Sequence, residues 1–475
     1  MEQLTISEII EATGGELLSG NTDLTVDSVY IDSRKCEKNS LFIPLIGNNN
    51  DGHEFIEKAF ESGALVSLVQ KNHKILENPQ GSLIAVESTQ KALGDLAKYY
   101  RHKFKIPFIG VTGSVGKTTT KEMIAAALSS SMNVLKTESN YNGQIGLPLT
   151  LFNLNSTHQV AVVEMGISEF GEMDRLSEIA DVDIAVITNI GVSHIENFKS
   201  TQNTCREKIK ILPKNKGILY LNGDSPILSD PEIKLLHNNI IYFGMNGNYP
   251  YKCEDIYSDD NKTHFTLITS EFKEPITIPC LGIHNVYNAL AAISIADGMG
   301  IHIEDIKKGL MAFKNVEMRQ QIFNLNGVTI IDDSYNASPD SIKSSVGVLR
   351  TLPKLEKNIV VIADMLELGE KSHEIHFETG RYIAIEGIDI IVTIGNESKY
   401  LSDGAKSSNQ YINAVHFDSN AEACEFLSEC ICKGDNILIK GSRGMHTEEI
   451  VNFLKDTIKK PTRDNKNEQS ESHPN

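Results

Sequence analysis

The chain is 475 residues long, 40% hydrophobic and 23% charged, lacks tryptophan, and carries a formal net charge of −18 at pH 7. That length exceeds one ordinary core and predicts about two to four domains. The acidic balance excludes non-specific nucleic-acid binding, which neutralises phosphate with Lys and Arg, although a local cation cluster can still hold an anionic nucleotide.

In chain order, residues 1–105 mix short strands and helices. Residues 26–32 and 41–45 read as strands, and 52–63 as a helix with Phe55, Ile56, Ala59 and Phe60 at helical spacing. From 106 the pattern turns to regular alternation, with strands at 108–112, 160–164, 184–188 and 217–221 and a helix at 118–130. Short apolar runs alternating with helices predict a parallel sheet covered on both faces. From about residue 316 the alternation repeats, with strands at 328–331, 359–363, 390–394 and 436–439, as in a smaller Rossmann-like domain. Residues 461–475 lack apolar anchors and are expected to form a disordered tail. The expected fold class is α/β, with domains at 1–105, 106–315 and 316–460. No run approaches the ~20 apolar residues of a membrane span. The acidic N-terminus lacks the basic-then-apolar order of a signal peptide, and the seven cysteines include no Cys-x-x-Cys pair. A cytoplasmic protein with reduced thiols is the expectation.

Residues 106–120 read Ile-Pro-Phe-Ile-Gly-Val-Thr-Gly-Ser-Val-Gly-Lys-Thr-Thr-Thr, an apolar strand, a glycine-rich turn and a helix opening with lysine and hydroxyls. This order builds a phosphate cradle. Glycine lets backbone N–H groups approach phosphate oxygens, and the helix N-terminus adds partial positive charge. Lys117 supplies a point charge and Thr118 a hydroxyl for Mg²⁺. The loop is shorter than the common Gly-x-x-x-x-Gly-Lys, which would place glycine where Val111 stands. Ligands in an open parallel sheet sit beyond the carboxyl ends of the strands. Glu164, the stretch from Thr188 to His194, and Asn222-Gly223-Asp224 also fall at such ends. A carboxylate on a strand beside a phosphate loop suits Mg²⁺, which takes oxygen ligands. The alternatives are a solvated strand-end acid for Glu164 and a satisfied loop histidine for His194.

These residues resemble the Mur ligases and their folylpolyglutamate synthase relatives. The resemblance rests on the loop Thr112–Thr119, Glu164-Met165-Gly166, Asn189-Ile190-Gly191 with His194, and Gly282-Ile283-His284-Asn285 with Asn288. Within the family, four stretches point to the branch that adds D-alanyl-D-alanine to UDP-N-acetylmuramoyl-tripeptide. They are Asp32-Ser33-Arg34 with Asp51-Gly52-His53, Asn140-Tyr141-Asn142 with Ile145-Gly146, Asp332-Asp333-Ser334-Tyr335-Asn336, and Lys440-Gly441-Ser442-Arg443. The Asp-Asn-Pro-Arg motif of the lysine- or diaminopimelate-adding ligase is absent.

The resemblance implies a central ATP-binding ligase domain between an N-terminal UDP-substrate domain and a C-terminal Rossmann-like domain. It implies ATP-driven amide formation through an acyl phosphate, in peptidoglycan precursor synthesis. Gly113, Ser114, Val115, Gly116, Lys117, Thr118 and Thr119 would hold the nucleotide phosphates, with Lys117 on the β/γ-phosphates. Thr118 and Glu164 would bind one Mg²⁺, and Glu164 and His194 a second. Lys208, fourteen residues after His194, occupies the place of a carbamylated lysine, an anionic metal ligand; the alternative is a solvated lysine on a charged helix. A Glu usual two residues later in the family is Lys210 here.

Asn288 would read the adenine edge, and Asn285, also assigned to the nucleotide, suits a helix-capping place. Arg319 and Asp333 would contact the nucleotide; the glycine usual before this arginine is Met318. Asn140 and Asn142 would orient the peptide carboxylate, with Gly143 where a further asparagine is common. Ser33 and Arg34 are assigned to the uridine diphosphate end, Asn336 to substrate, and Arg443 to the dipeptide or acceptor; surface ion pairs are the alternative for both arginines. A monomer that closes by hinge motion on binding its ligands is expected. Competing readings are another Mur-type amide ligase and a nucleotide-binding switch ATPase.

Overall fold

The computed structural model describes residues 1–47, 49–73, 79–213 and 216–459. The expected tail at 461–475 lies outside them. The described residues form two compact units. The first comprises Met1–Gly191, Asn197–Pro279 and His284–Phe313; the second comprises Val192–Glu196, Cys280–Ile283 and the chain from Lys314 onward.

The first unit carries two large sheets. Near the N-terminus a five-stranded sheet runs in the order Glu16–Ser19, Ser82–Val86, Ala64–Gln70, Ser40–Phe42, Ser28–Tyr30, parallel except for its first pair. The strand expected at 26–32 is in fact broken. Thr25–Val26 pairs with Leu4–Thr5 in a separate ribbon, Ser28–Tyr30 joins the sheet, and Asp32 caps a 3₁₀ turn at Ser33–Lys35. The helix expected at 52–63 likewise divides. Asp51 accepts from the His53 amide to start a 3₁₀ turn, and only Ile56–Glu61 is α-helical. In both places a short acidic side chain satisfies a turn amide, which favours a tight turn over a continuous element.

The second sheet of this unit has nine strands. Their order is Val134–Lys136, Val160–Glu164, Phe108–Thr112, Ile184–Ile187, Ile218–Asn222, Ile240–Gly244, Tyr251–Asp259, Lys262–Ile268, Lys273–Ile278. The first seven are parallel, and the last two add antiparallel pairs. Every residue of Phe108–Thr112 and Val160–Glu164 is buried, as a run apolar on both faces requires. From Phe108–Thr112 the chain crosses first to one side of that strand, then to the other. This reversal is a topological switch point, where such sheets leave a crevice beyond their carboxyl ends. The loop from Gly113 opens there. The helix Thr89–His102 packs on the helices Gly146–Leu151 and Glu172–Ala180, and Tyr100 donates to the Leu154 carbonyl at 2.6 Å.

The second unit holds a six-stranded sheet in the order Gln321–Leu325, Val328–Asp332, Asn436–Lys440, Asn358–Ala363, Ile390–Ile394, Asn413–Phe417. Only the first pair is antiparallel. Buried side chains fill both faces, with Ile331, Val360, Ile362 and Leu438 in one layer and Ile330, Val361, Val392 and Ile439 in the other. The unit is thus a doubly covered, mostly parallel α/β domain.

Candidate active site

The phosphate cradle follows from two glycines. Gly113 has φ +149, and a Cβ there would lie 1.9 Å from Thr188 Oγ1; Gly116 has φ +84 and caps the helix Lys117–Ser129. No side chain caps that helix, so its first-turn amides are arranged for an outside acceptor. The loop is stitched to the neighbouring strand end. Val115 N–H donates to Asn189 Oδ1 at 2.7 Å, Thr188 Oγ1 donates to the Val115 carbonyl at 2.6 Å, and Ser114 N–H donates to the Asn189 carbonyl at 3.0 Å. Lys117 Nζ lies back on the Gly113 carbonyl at 2.9 Å. Thr188 and Asn189 are therefore loop-shaping residues; the sequence marked Thr188 only as a strand end and Asn189 also as part of a family motif, with no loop contact assigned to either.

Glu164 ends the strand beside the loop and is only 2% exposed. Its Oε1 accepts from Asn142 Nδ2 at 2.8 Å, its own amide donates to Thr137 Oγ1 at 3.0 Å, and its Oε2 is buried without a hydrogen-bond partner. A buried carboxylate oxygen left unmatched beside a phosphate loop is costly unless a cation or donor reaches it. With the Thr118 hydroxyl on the first turn, the residues present fit a Mg²⁺ ion, whose ligands are oxygens. Asn142 thus acts on Glu164 directly. Asn140, also expected to orient the substrate carboxylate, is exposed.

Asn288 is buried against the loop. Its Oδ1 accepts from Thr120 Oγ1 at 2.9 Å, and its Nδ2 donates to Asn285 Oδ1 at 3.0 Å. A Cβ on Gly116 would lie 3.0 Å from Asn288 Oδ1. The capping place expected for Asn285 is not where the structure puts it. The helix starts at Ile283, so Asn285 occupies its third position and is buried. Lys208 is only 2% exposed, not a solvated helix lysine. Burial, aided by the nearby Lys117 charge, pushes its amine well below the usual lysine range, against the pull of Glu172 and Glu207. Lys210, in the family's Glu position, pairs with Asp174 at 2.7 Å and Glu207 at 2.8 Å.

In the N-terminal sheet region, Ser33 is buried. Arg34 makes a two-pronged pair with Asp32 at 2.9 and 2.8 Å, which holds the Asp32 carboxyl down at about 2. The Arg34 side chain is itself 76% exposed, so this pair contributes little stability.

His194 lies in the segment counted with the second unit. Its Nδ1 is 2.6 Å from Glu367 Oε2, and this contact holds the Glu367 carboxyl below its usual range. Elsewhere in that unit the Arg319 guanidinium stacks 4.1 Å over the Tyr335 ring. Met318, before it, adopts φ +59, a conformation that suits the glycine usual there. Asp333 is buried and engaged. Its Oδ2 accepts from Lys440 Nζ and from Ser345 Oγ, each at 2.5 Å, while burial pushes the Lys440 amine down. Asn336 is exposed, its Oδ1 taken by the Ala337 amide at 2.8 Å. Arg443 pairs with Glu448 at 2.9 Å.

Three family descriptions match successive parts of the chain: the Mur ligase family catalytic domain over residues 25–101, the Mur ligase middle domain over 111–296, and the Mur ligase glutamate ligase domain over 318–443. The UDP-N-acetylmuramoyl-tripeptide–D-alanyl-D-alanine ligase of Bacillus subtilis (strain 168) is 38% identical over 466 residues, covering 97% of this chain and 100% of that one. A crystal structure of MurF from Acinetobacter baumannii superposes with a TM-score of 0.88 at 29% identity, over 97% of this chain and 100% of that one. MurF from Thermotoga maritima in complex with ADP superposes with a TM-score of 0.81 at 27% identity, over 91% and 97% of the two chains. Among the described residues no helix is long and apolar enough to cross a membrane. A glycine cradle at the switch point, a buried acid beside it and full-length similarity to such ligases lead to one assignment: the chain belongs to the Mur ligase family.

Proposed function

We propose that this chain joins the amine of D-alanyl-D-alanine to the peptide carboxylate of UDP-N-acetylmuramoyl-tripeptide at the expense of ATP, giving the pentapeptide precursor of peptidoglycan, ADP and phosphate. It works as a cytoplasmic monomer built from domains at 1–105, 106–315 and 316–460. The observation that carries the reading is the stitched cradle of Gly113–Lys117 beside the unmatched Glu164 Oε2.

The chemistry sets two anions against each other, so positioning and charge neutralisation carry most of the catalysis. The amides of residues 113–119 receive the phosphates, and Lys117 exchanges the Gly113 carbonyl for the β/γ-phosphates. The substrate carboxylate attacks the γ-phosphorus to give an acyl phosphate and ADP. The dipeptide amine then attacks the acyl carbon, and phosphate leaves from the tetrahedral intermediate. Asn140 and Asn142 align the carboxylate. Asn285, Asn288, Arg319 and Asp333 serve the nucleotide. Ser33 and Arg34 serve the uridine diphosphate, and Asn336 and Arg443 the substrate side. Thr118 and Glu164 would hold one Mg²⁺ and Glu164, His194 and a carbamylated Lys208 a second, ions that neutralise phosphate charge as it redistributes. A buried lysine with a lowered pKa presents the neutral amine that CO₂ requires.

The test is the product. ATP, UDP-muramyl tripeptide and D-alanyl-D-alanine should yield the pentapeptide by mass spectrometry, with phosphate released only when both acceptor and amine are present. Phosphate release without them would replace the ligase by a switch ATPase, and addition of free lysine or diaminopimelate to the UDP-muramyl dipeptide, with none of D-alanyl-D-alanine to the tripeptide, would move the chain to another branch.

A further inference from the structure

We infer that the two loops flanking Glu164 form a seat for the side chain of the tripeptide's last residue, and that this seat selects an aliphatic chain ending in an ammonium. The assignment rests on the ligase reading of the site. Under that reading the activated carboxylate belongs to the last residue of the tripeptide. Its side chain leaves from the carbon next to the reacting one, so it must lie against whatever lines the crevice beside Glu164.

Both loops belong to the first unit. One follows the strand Val134–Lys136 and carries Glu138, Tyr141 and Asn142; the other follows Val160–Glu164 and carries Glu169 and Phe170. They are tied to the acid and to each other. Asn142 Nδ2 donates to Glu164 Oε1 at 2.8 Å, Gly166 N–H donates to the Asn142 carbonyl at 2.9 Å, and Gln144 Nε2 donates to Glu172 Oε1 at 3.4 Å.

Each loop holds a large ring in solvent on a fixed backbone. Tyr141 is 44% exposed and Phe170 57%. Tyr141 N–H donates to the Glu138 carbonyl at 3.2 Å, and a Cβ on buried Gly146 would lie 2.3 Å from Tyr141 Cα. Ser139, within this turn, adopts φ +51, a strain that persists only where the surroundings enforce it. In the other loop Glu172 Oε2 accepts from the amides of Ser168 at 2.6 Å and Glu169 at 3.0 Å. Gly171 N–H donates to Glu207 Oε1 at 2.7 Å, and Asn197 Nδ2 donates to the Ser168 carbonyl at 3.0 Å. The Phe170 ring stands edge-on to buried Phe198, with centroids 5.3 Å apart. A ring presented from a pinned loop loses little freedom when a ligand covers it, and its face suits methylenes.

Charge supplies the selection. Glu138 and Glu169 are exposed, one on each loop, and among the described residues no ion pair engages either carboxylate. Nearby cations are already engaged: Lys136 with Glu122, Arg175 with Asp95 at 2.7 Å, and Lys210 with Asp174 at 2.7 Å and Glu207 at 2.8 Å. Aromatic faces and carboxylates together attract a methylene chain that ends in a cation. They disfavour a further carboxylate at its tip. Lysine fits this seat; diaminopimelate, whose terminal carbon bears both an ammonium and a carboxylate, fits it less well.

The test is ligation of D-alanyl-D-alanine by the full-length chain to UDP-muramyl tripeptides ending in lysine, norleucine, alanine or diaminopimelate. In the parent, kcat/KM should fall about 5-fold or more from lysine to norleucine, which keeps the methylenes but lacks the ammonium. It should fall further to alanine, which lacks the chain, and diaminopimelate should also trail lysine. The double variant Glu138→Gln with Glu169→Gln should level lysine with norleucine and narrow the gap to diaminopimelate. Phe170→Ala should bring the norleucine and alanine values together. Each comparison is a ratio between substrates on one enzyme, so any loss of folded protein cancels. Equal use of lysine, norleucine and alanine by the parent overturns the seat. A lysine preference that survives the double variant places the selecting charges elsewhere and overturns the assignment, as does a parent that prefers diaminopimelate to lysine. Failure to ligate the dipeptide to any of the four overturns the ligase reading, and the seat with it.

Discussion

Replacing Lys440 by methionine tests whether Asp333 is first a nucleotide contact or first a structural clamp. The pair is nearly sealed from water, with side-chain exposures of 3% and 10%, and its N–O distance is 2.5 Å. At that separation and an effective dielectric of about 20, the Coulomb attraction is about 7 kcal/mol. Desolvation of both groups offsets much of it, so the pair as a whole contributes little compared with an apolar replacement. Removing one partner alone is different. Asp333 would keep the Ser345 hydroxyl but lose the Lys440 ammonium, and an uncompensated buried charge costs about 3–5 kcal/mol. With a urea m-value of about 2 kcal/mol/M, the unfolding midpoint should fall by about 1.5–2.5 M. The chain has no tryptophan, so unfolding is best followed by far-UV circular dichroism on the nucleotide-free protein. The double variant Lys440→Met with Asp333→Leu should regain more than half of the loss. A loss under about 1 kcal/mol, together with a raised KM for ATP, would refute the clamp and return Asp333 to the nucleotide.

Met318→Gly should stabilise the chain by about 0.5–1 kcal/mol in the same unfolding experiment, since the left-handed penalty of ~1–2 kcal/mol exceeds the entropic cost of glycine; a loss would show that the Met318 contact with Arg443 matters more. Glu164→Gln should abolish measurable ligation while leaving the thermal midpoint equal or higher, because it removes a buried charge with an unmatched oxygen; retained turnover at limiting Mg²⁺ would exclude Glu164 from the site. The rings of His53 and His73 stack 3.9 Å apart, and Asp51 meets both, with Oδ1 2.7 Å from His53 Nδ1 and Oδ2 2.7 Å from His73 Nε2. Burial raises its carboxyl, but the His53 amide and the two rings lower it further, to about 2. A depressed carboxyl pKa stabilises the fold above the unfolded value near 3.8, and that stability is lost as pH falls through about 2. Asp51→Asn should therefore flatten the acid side of the stability curve between about pH 4 and 2, and an unchanged curve would sink the idea.

Much of the two parallel sheets was legible because their strands are buried on both faces and so write continuous apolar runs; 108–112 and 160–164 in the nine-stranded sheet and 390–394 in the six-stranded one fall where the sequence places them. The antiparallel extension at 251–278 escaped notice. Its signal was alternation, with Thr263, Phe265 and Leu267 buried between more exposed neighbours, a period of two that a search for apolar runs passes over. The loop, Glu164 and Lys208 could be picked out because their chemistry is local or spaced along one segment. The pairings of Asn142 with Glu164, Asp333 with Lys440 and His194 with Glu367 depend on chain crossovers, so no window of sequence contains both partners.

The antiparallel pair that closes the nine-stranded sheet also determines how the molecule ends. An open parallel sheet presents a row of unpaired amides and carbonyls at its rim, a template on which another copy can grow. Here the last strand, Lys273–Ile278, bonds only to Lys262–Ile268, and it carries Pro275 between Glu274 and Ile276. Proline has no N–H to offer, and the charged Lys273 and Glu274 resist burial against a twin. The hairpin is thus a terminator as much as a structural extension.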